Sequence, residues 1–188
     1  MKKVIAAINM TIDGFCDHTS GVADEALHQH YADLLRSAGT VLYGRITYQL
    51  MEYWRTVLDN PTGDKGMDDF AAAIDNVPKI VFSRTLKNVD WKSAKLASQD
   101  PEQEVLELKQ QSGKDVFACS PSMIVALTKL NLIDEYQLCI HPVIAGSGLP
   151  LFKNISEQIT LRLIKTKTFG SGVVLHYYEP ANKRTTNG

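Results

Sequence analysis

The chain has 188 residues, 44% of them apolar and 22% charged, with a formal net charge of −1. That length holds one well-buried core and is short for two. The near-neutral balance gives no broad basic field, so nucleic acid and an anionic membrane are not expected partners, and any arginine that matters acts locally.

Residues 4–8 predict a first strand, and Thr11-Ile12-Asp13-Gly14 a turn after it. Leu27, Tyr31, Leu34, Leu35 and Ala38 then share a helical face, with Asp24 and Glu25 in the first turn and Gly39 as the stop. A strand over 40–43 and a short helix from Ile46 to about Met51 follow. The stretch 54–66, with Pro61 and Gly63, reads as the longest loop, and 68–74 as a helix. Residues 79–82 form a strand, with a weaker one over 93–97. Asp100 and Pro101 open a well-marked helix: aspartate as cap, proline at the first position, Gln103 in the capping-box place, Gly113 as exit.

Residues 116–119 are the next strand, and Ser120-Pro121 repeats the cap-plus-proline start before a helix with Met123, Leu127 and Leu130 on its inner stripe. From Glu135 the texture changes. Residues 136–145, 159–169 and 172–178 carry β-branched and aromatic side chains, with a hairpin turn at Phe169-Gly170-Ser171-Gly172. Alternating β and α units followed by an antiparallel appendix predict a single α/β domain over 1–180, its mixed sheet covered on both faces. A polar tail over 181–188 completes the chain. Cys16, Cys119 and Cys139 form no CxxC pair, no window approaches a membrane span, and no secretory leader is apparent. A reduced, cytoplasmic protein is expected.

Three strand ends carry phosphate chemistry: Gly44-Arg45-Ile46-Thr47-Tyr48, Ser83-Arg84-Thr85 and Ser120-Pro121-Ser122. Small or hydroxyl residues where a strand opens into a helix leave backbone N–H groups for an anion. Two of the ends add an arginine, which suits a further phosphate monoester. A helix cap accounts for Ser120 and Pro121 by itself, but not for Ser122. The turn Gly146-Ser147-Gly148 lacks a following helix pattern and reads as a loop or interface former. His28 and His30 point in different directions on one helix, and His18, His141 and His176 lack zinc-type spacing, so no metal is expected.

Taken together, these segments resemble the dihydrofolate reductase-like superfamily, most closely the reductase domain of the bifunctional riboflavin-biosynthesis deaminase/reductase. The carrying residues are Thr11-Ile12-Asp13-Gly14-Phe15, Gly44-Arg45-Ile46-Thr47-Tyr48, Ser83-Arg84-Thr85-Leu86, Leu132-Ile133-Asp134-Glu135 and His141-Pro142 through Leu151-Phe152. The resemblance implies a three-layer α/β/α fold, a mainly parallel mixed sheet with antiparallel C-terminal strands, NADPH as hydride donor, and often a homodimer.

By position, Gly44, Arg45 and Thr47 look like the cofactor-phosphate turn, and Ser83 and Arg84 like the 2′-phosphate contacts. Ser120, Pro121, Ser122 and Met123 occupy the pyrophosphate turn, and Ala7, Ile12, Asp13 and Gly14 border the nicotinamide. Asp13, His28 and Glu135 are the candidates for substrate contact or proton transfer. The pyrophosphate turn departs from the glycine-rich form of many relatives, and no carboxylate on the first helix falls in the pterin-holding register. The expected activity is NADPH-dependent reduction of a small heterocycle, in its specific form the riboflavin-pathway reduction of a phosphoribosylamino-uracil. Dihydrofolate reduction and a non-catalytic nucleotide-binding dimeric module are the alternatives.

Overall fold

The apolar run that opens each β/α unit finds its neighbours in one sheet, seen in a computed structural model that describes residues 1–17, 21–22 and 24–181. The strands are β1 (Val4–Thr11), β2 (Thr40–Gly44), β3 (Lys79–Phe82), β4 (Ala94–Leu96), β5 (Val116–Ala118), β6 (Glu135–His141), β7 (Leu161–Thr168) and β8 (Val174–Pro180). They lie in the order β4-β3-β2-β5-β1-β6-β8-β7. The first six in that row are mutually parallel, and β8 and β7 close the row antiparallel.

The helices are α1 (Glu25–Ser37), α2 (Arg45–Met51), α3 (Tyr53–Asp59), α4 (Lys65–Asn76), α5 (Pro101–Gln110) and α6 (Pro121–Lys129). Side chains alternate across a strand, so β1 feeds two cores at once. Val4, Ala6 and Ile8 meet Val105 and Leu108 of α5 and Met123, Ile124 and Leu127 of α6. Ile5 and Ala7 face the other way, onto Ala32 and Leu35 of α1, in a core that also takes Ala73 and Ile74 of α4. Truncating a fully buried residue such as Ile124 or Leu127 to alanine costs about 2–5 kcal/mol. The result is the three-layer α/β fold that the pattern implied.

Local signals explain most boundaries. Asp24 accepts the Leu27 amide at the start of α1, and Asp100 accepts the Glu102 and Gln103 amides at the start of α5. The stretch 54–66 is a correction: α3 occupies its first half and α4 begins at its end. Trp54 packs edge-on against Phe70 with ring centroids 4.5 Å apart, and Val57 is buried, so tertiary burial draws this short segment into a helix. The break is confined to Asn60 through Asp64, where Gly63 takes a φ of +82°. The strand expected over 136–145 stops at His141, because Pro142 has no N–H for a ladder. Strand β1 runs on to Thr11, past the predicted end at residue 8.

That extra length opens the sheet. Strand β1 pairs with β5 only as far as Ala6↔Ala118, but with β6 as far as Thr11↔His141. Past Ala6 the parallel sheet splits between β1 and β5. At the far border, β7 is exposed along nearly its whole length, with Leu163 and Ile164 among its open side chains. Among the described residues no helix is long and apolar enough to cross a membrane.

Candidate functional site

Because β3, β2 and β5 are adjacent and parallel, their carboxyl ends share one edge of the sheet. This brings Ser83 and Arg84, Gly44 through Thr47, and Ser120 through Met123 side by side, with the turn Ile12-Asp13-Gly14 beyond the split. Two of these ends are tied directly: the buried Gly44 amide donates to Ser120 Oγ at 3.0 Å. A Cβ at position 44 would run into the Ser122 hydroxyl, which would have to turn aside, so glycine lets the two strand ends approach with that hydroxyl in place.

The expectation of free amides at all three ends is revised in its details. Gly44 N–H is spent on Ser120, and the Thr85 and Leu86 amides are spent on Ser83 Oγ at 3.1 and 2.9 Å. Ser120 holds the N-cap position of α6, yet its hydroxyl does not cap that helix. The first-turn amides of Ser122 and Met123 are therefore uncapped, and Pro121 has none to offer. Arg45 is exposed and donates to Gln49 Oε1 at 3.0 Å; Arg84 is exposed too. Neither guanidinium has an ion-pair partner among the described residues. Two open guanidinium groups and an uncapped nine-residue helix at one edge fit the phosphates of a dinucleotide.

The split supplies a second kind of binding surface. Lys3 C=O accepts from Val116 N–H, so the odd-numbered residues of β1 turn their backbone toward β5. Beyond Ala118 no strand remains there, and the main chain of Asn9 faces the opening. Ala7 borders it from inside the ladder, its side chain buried.

Two loops close the end of β1. Asp13 accepts from Thr11 Oγ1 at 2.6 Å, Gly146 N at 2.7 Å and Ala145 N at 3.1 Å. These bonds, the Thr11 hydroxyl first, hold its carboxyl down at about 2. Asp17 takes the Leu149 amide at 2.7 Å. Backbone bonds Ile12 N–H to Val143 O, Cys16 N–H to Leu149 O and Leu151 N–H to Gly14 O complete the lacing. The glycine-rich turn is thus a clasped loop, and Asp13 at neutral pH is an acceptor that holds it in place.

The other two candidates part company. His28 lies on α1 against Trp54, ring centroids 6.3 Å apart, with its Cβ beside Gly66 at the start of α4. Glu135 opens β6 opposite Ile5, six residues and roughly 20 Å along the strand from Thr11. There it accepts from Gln137 Nε2 at 2.8 Å and faces Lys3 at 3.7 Å, at the opposite edge from Arg45 and Arg84. His141 lacks a partner at zinc-type spacing in the sequence and finds its partners only in the fold. It sits across from Thr11, 2% exposed, its Nδ1 accepting from the Val22 amide at 2.9 Å. Burial lowers its pKa, so the ring is neutral near pH 7 with its proton on Nε2, which has no partner among the described residues.

Known proteins share this sequence pattern and this fold. The sequence is 32% identical over 181 residues to YyaP, an uncharacterised protein of Bacillus subtilis (strain 168), covering 94% of each chain. The fold matches a protein named for riboflavin biosynthesis from Shewanella sp. PV-4 with a TM-score of 0.71 at 17% identity, over 96% of this chain and 99% of that one. It also matches the diaminohydroxyphosphoribosylaminopyrimidine deaminase/5-amino-6-(5-phosphoribosylamino)uracil reductase of Thermotoga maritima, TM-score 0.62 at 18% identity, over 95% of this chain and 56% of that one. The family model described as the RibD C-terminal domain matches residues 2–175. With nearly its whole length inside that match, the chain belongs to the RibD C-terminal domain family.

Proposed function

We propose that the protein is an NADPH-dependent reductase of a small heterocycle. The observation that carries this reading is the pair Arg45 and Arg84, both without counter-ions among the described residues, at the ends of neighbouring parallel strands beside the uncapped start of α6. Arg84 with Ser83 takes the 2′-phosphate, and Arg45 and Thr47 take the adjoining phosphate, with Gly44 letting the two strand ends approach. Ser122 and Met123 donate amides to the pyrophosphate, with Ser120 and Pro121 shaping that turn. Ala7, Ile12 and Gly14 border the nicotinamide at the split. When bound, NADPH supplies a hydride to a C=N or C=O group of the second ligand.

Asp13, ionised and clasping the 145–149 loop, serves as a positioning residue, while His28 stands on the wall made by α1, α3 and α4. A pyrimidine substrate of the riboflavin-pathway type is favoured by the name of the Thermotoga maritima neighbour. We extend the proposal to a homodimer in which β7, open along its outer side, meets a second copy. The free thiols of Cys16, Cys119 and Cys139 suit a reducing compartment.

Titration of the protein with NADPH and NADH in parallel, on the parent and on Arg45→Ala and Arg84→Ala, tests the reading. NADPH binds more tightly to the parent, and loss of either guanidinium weakens it about 10- to 100-fold, as expected for charge-assisted bonds of roughly 1.5–3 kcal/mol. Equal affinity for both nucleotides in all three proteins defeats the assignment. Loss of NADPH absorbance with any acceptor excludes a purely binding module.

A further inference from the structure

Asn9 is an exposed polar residue on an otherwise apolar run: Val4, Ile5, Ala6, Ala7 and Ile8 before it are all less than 9% exposed. It stands past the last pairing of β1 with β5, so its main chain meets the opening, while its side chain is exposed on one face of the sheet. Its side chain shares the α1 face of the sheet with Ile5 and Ala7. There Tyr31 of α1 donates its hydroxyl to Asn9 Oδ1 at 2.7 Å. The thiol of Cys139, register partner of Asn9 on β6, lies within hydrogen-bond reach of the same hydroxyl. With Oδ1 engaged by Tyr31, the planar amide has one orientation. Its Nδ2 carries two N–H donors that meet no acceptor among the described residues.

We propose that Asn9 is a specificity-determining residue for the second ligand, its Nδ2 donating to a ring carbonyl of a neutral lactam-type heterocycle. The inference rests on the reductase reading and deepens it. A donor fixed from behind discriminates sharply, because an amino group in place of the carbonyl leaves two donors facing each other. Tyr31 acts as the positioning residue that keeps the amide from turning over.

The test uses a matched pair of probes, 5,6-diaminouracil and 2,4,5,6-tetraaminopyrimidine, in which amino groups replace the ring carbonyls. Each is titrated calorimetrically into the NADP⁺-saturated full chain. The parent favours the diaminouracil. Asn9→Ala weakens that probe about tenfold, the loss of one net hydrogen bond of ~1–1.5 kcal/mol. Asn9→Asp, which keeps the acceptor for Tyr31 but replaces Nδ2 with an acceptor, inverts the preference. Tyr31→Phe blunts it. NADPH affinity stays within twofold in all three variants. A parent that binds NADPH but neither probe, or an Asn9→Asp protein with unchanged preference, overturns the inference and leaves the reductase reading standing. An Asn9→Ala protein that loses NADPH and probe affinity alike also overturns it, assigning the residue to the coenzyme. A parent that binds no NADPH sinks both.

Discussion

The Gly44 amide donates to the Ser120 hydroxyl across 76 positions of sequence, joining the ends of β2 and β5. Ser120 is fully buried, so neither group has water as a substitute partner. Ser120→Ala leaves a buried N–H unpaired and lowers unfolding free energy by about 1–3 kcal/mol, read as a shifted urea midpoint at unchanged slope. Gly44→Ala acts differently: it displaces the Ser122 hydroxyl from between the strand ends. NADPH affinity then falls at least tenfold in a fluorescence titration.

The clasp made by Asp13 predicts an acid-resistant loop. A carboxyl held at about 2 stays ionised well below the ordinary aspartate range, so the clasp's contribution is complete above about pH 4 and is lost as pH falls through 2. Asp13→Asn turns one acceptor into a donor, which then faces either the Gly146 amide or the Ala145 amide with the Thr11 hydroxyl. Hydrogen exchange at those two amides should rise in the variant at neutral pH. Unchanged protection would show that the other backbone bonds suffice.

His30 gives a pH dependence of stability in a higher window. Burial, reinforced by the Lys167 charge, pushes its pKa from 6.5 down to about 4. Its Nε2 is buried beside Phe169 without a partner among the described residues. The unfolded chain takes up the proton first as pH falls, so stability drops between pH 6.5 and 4 and this loss levels off below 4. His30→Leu removes that component, worth at most a few kcal/mol. Urea midpoints at pH 7, 5.5 and 4.5 should show the variant gaining on the parent as the solution is acidified.

The exposed β7 border makes the oligomeric state testable. Leu163 and Ile164 are 50% and 45% exposed at a register shift in the pairing with β8. If β7 meets a second copy, sedimentation gives a dimer for the parent and a monomer for the Leu163→Lys, Ile164→Lys double variant. A parent that sediments as a monomer at micromolar concentration rejects the dimer.

Much of the layout was legible because its signals are local. Asp100-Pro101, the turn at Phe169 through Gly172 and the apolar runs of β2, β3 and β5 each carry their instruction within a few residues. Helix α3 resisted such reading, since a helix of seven residues is fixed by the contact of Trp54 with Phe70, far outside its own turn chemistry. The site was readable as a set of strand ends, and adjacency in the sheet brings them together. Which amides remain open was not readable: the Gly44–Ser120 bond spans most of the intervening fold, and Ser83 closes its own turn. Asn9, and the buried setting of His141, were not readable for a related reason. An asparagine in an apolar run, or a lone histidine before a proline, gains meaning only when the end of β5 and the register with β6 are known.

The premature ending of β5 also bears on how such proteins diverge. A socket walled partly by main chain asks little of side-chain identity, since every residue brings the same amide and carbonyl. Substitutions can accumulate around it while the frame persists, as the 0.71 TM-score at 17% identity illustrates. New chemistry would then arise by exchanging the few side chains that project into the gap, leaving the scaffold undisturbed.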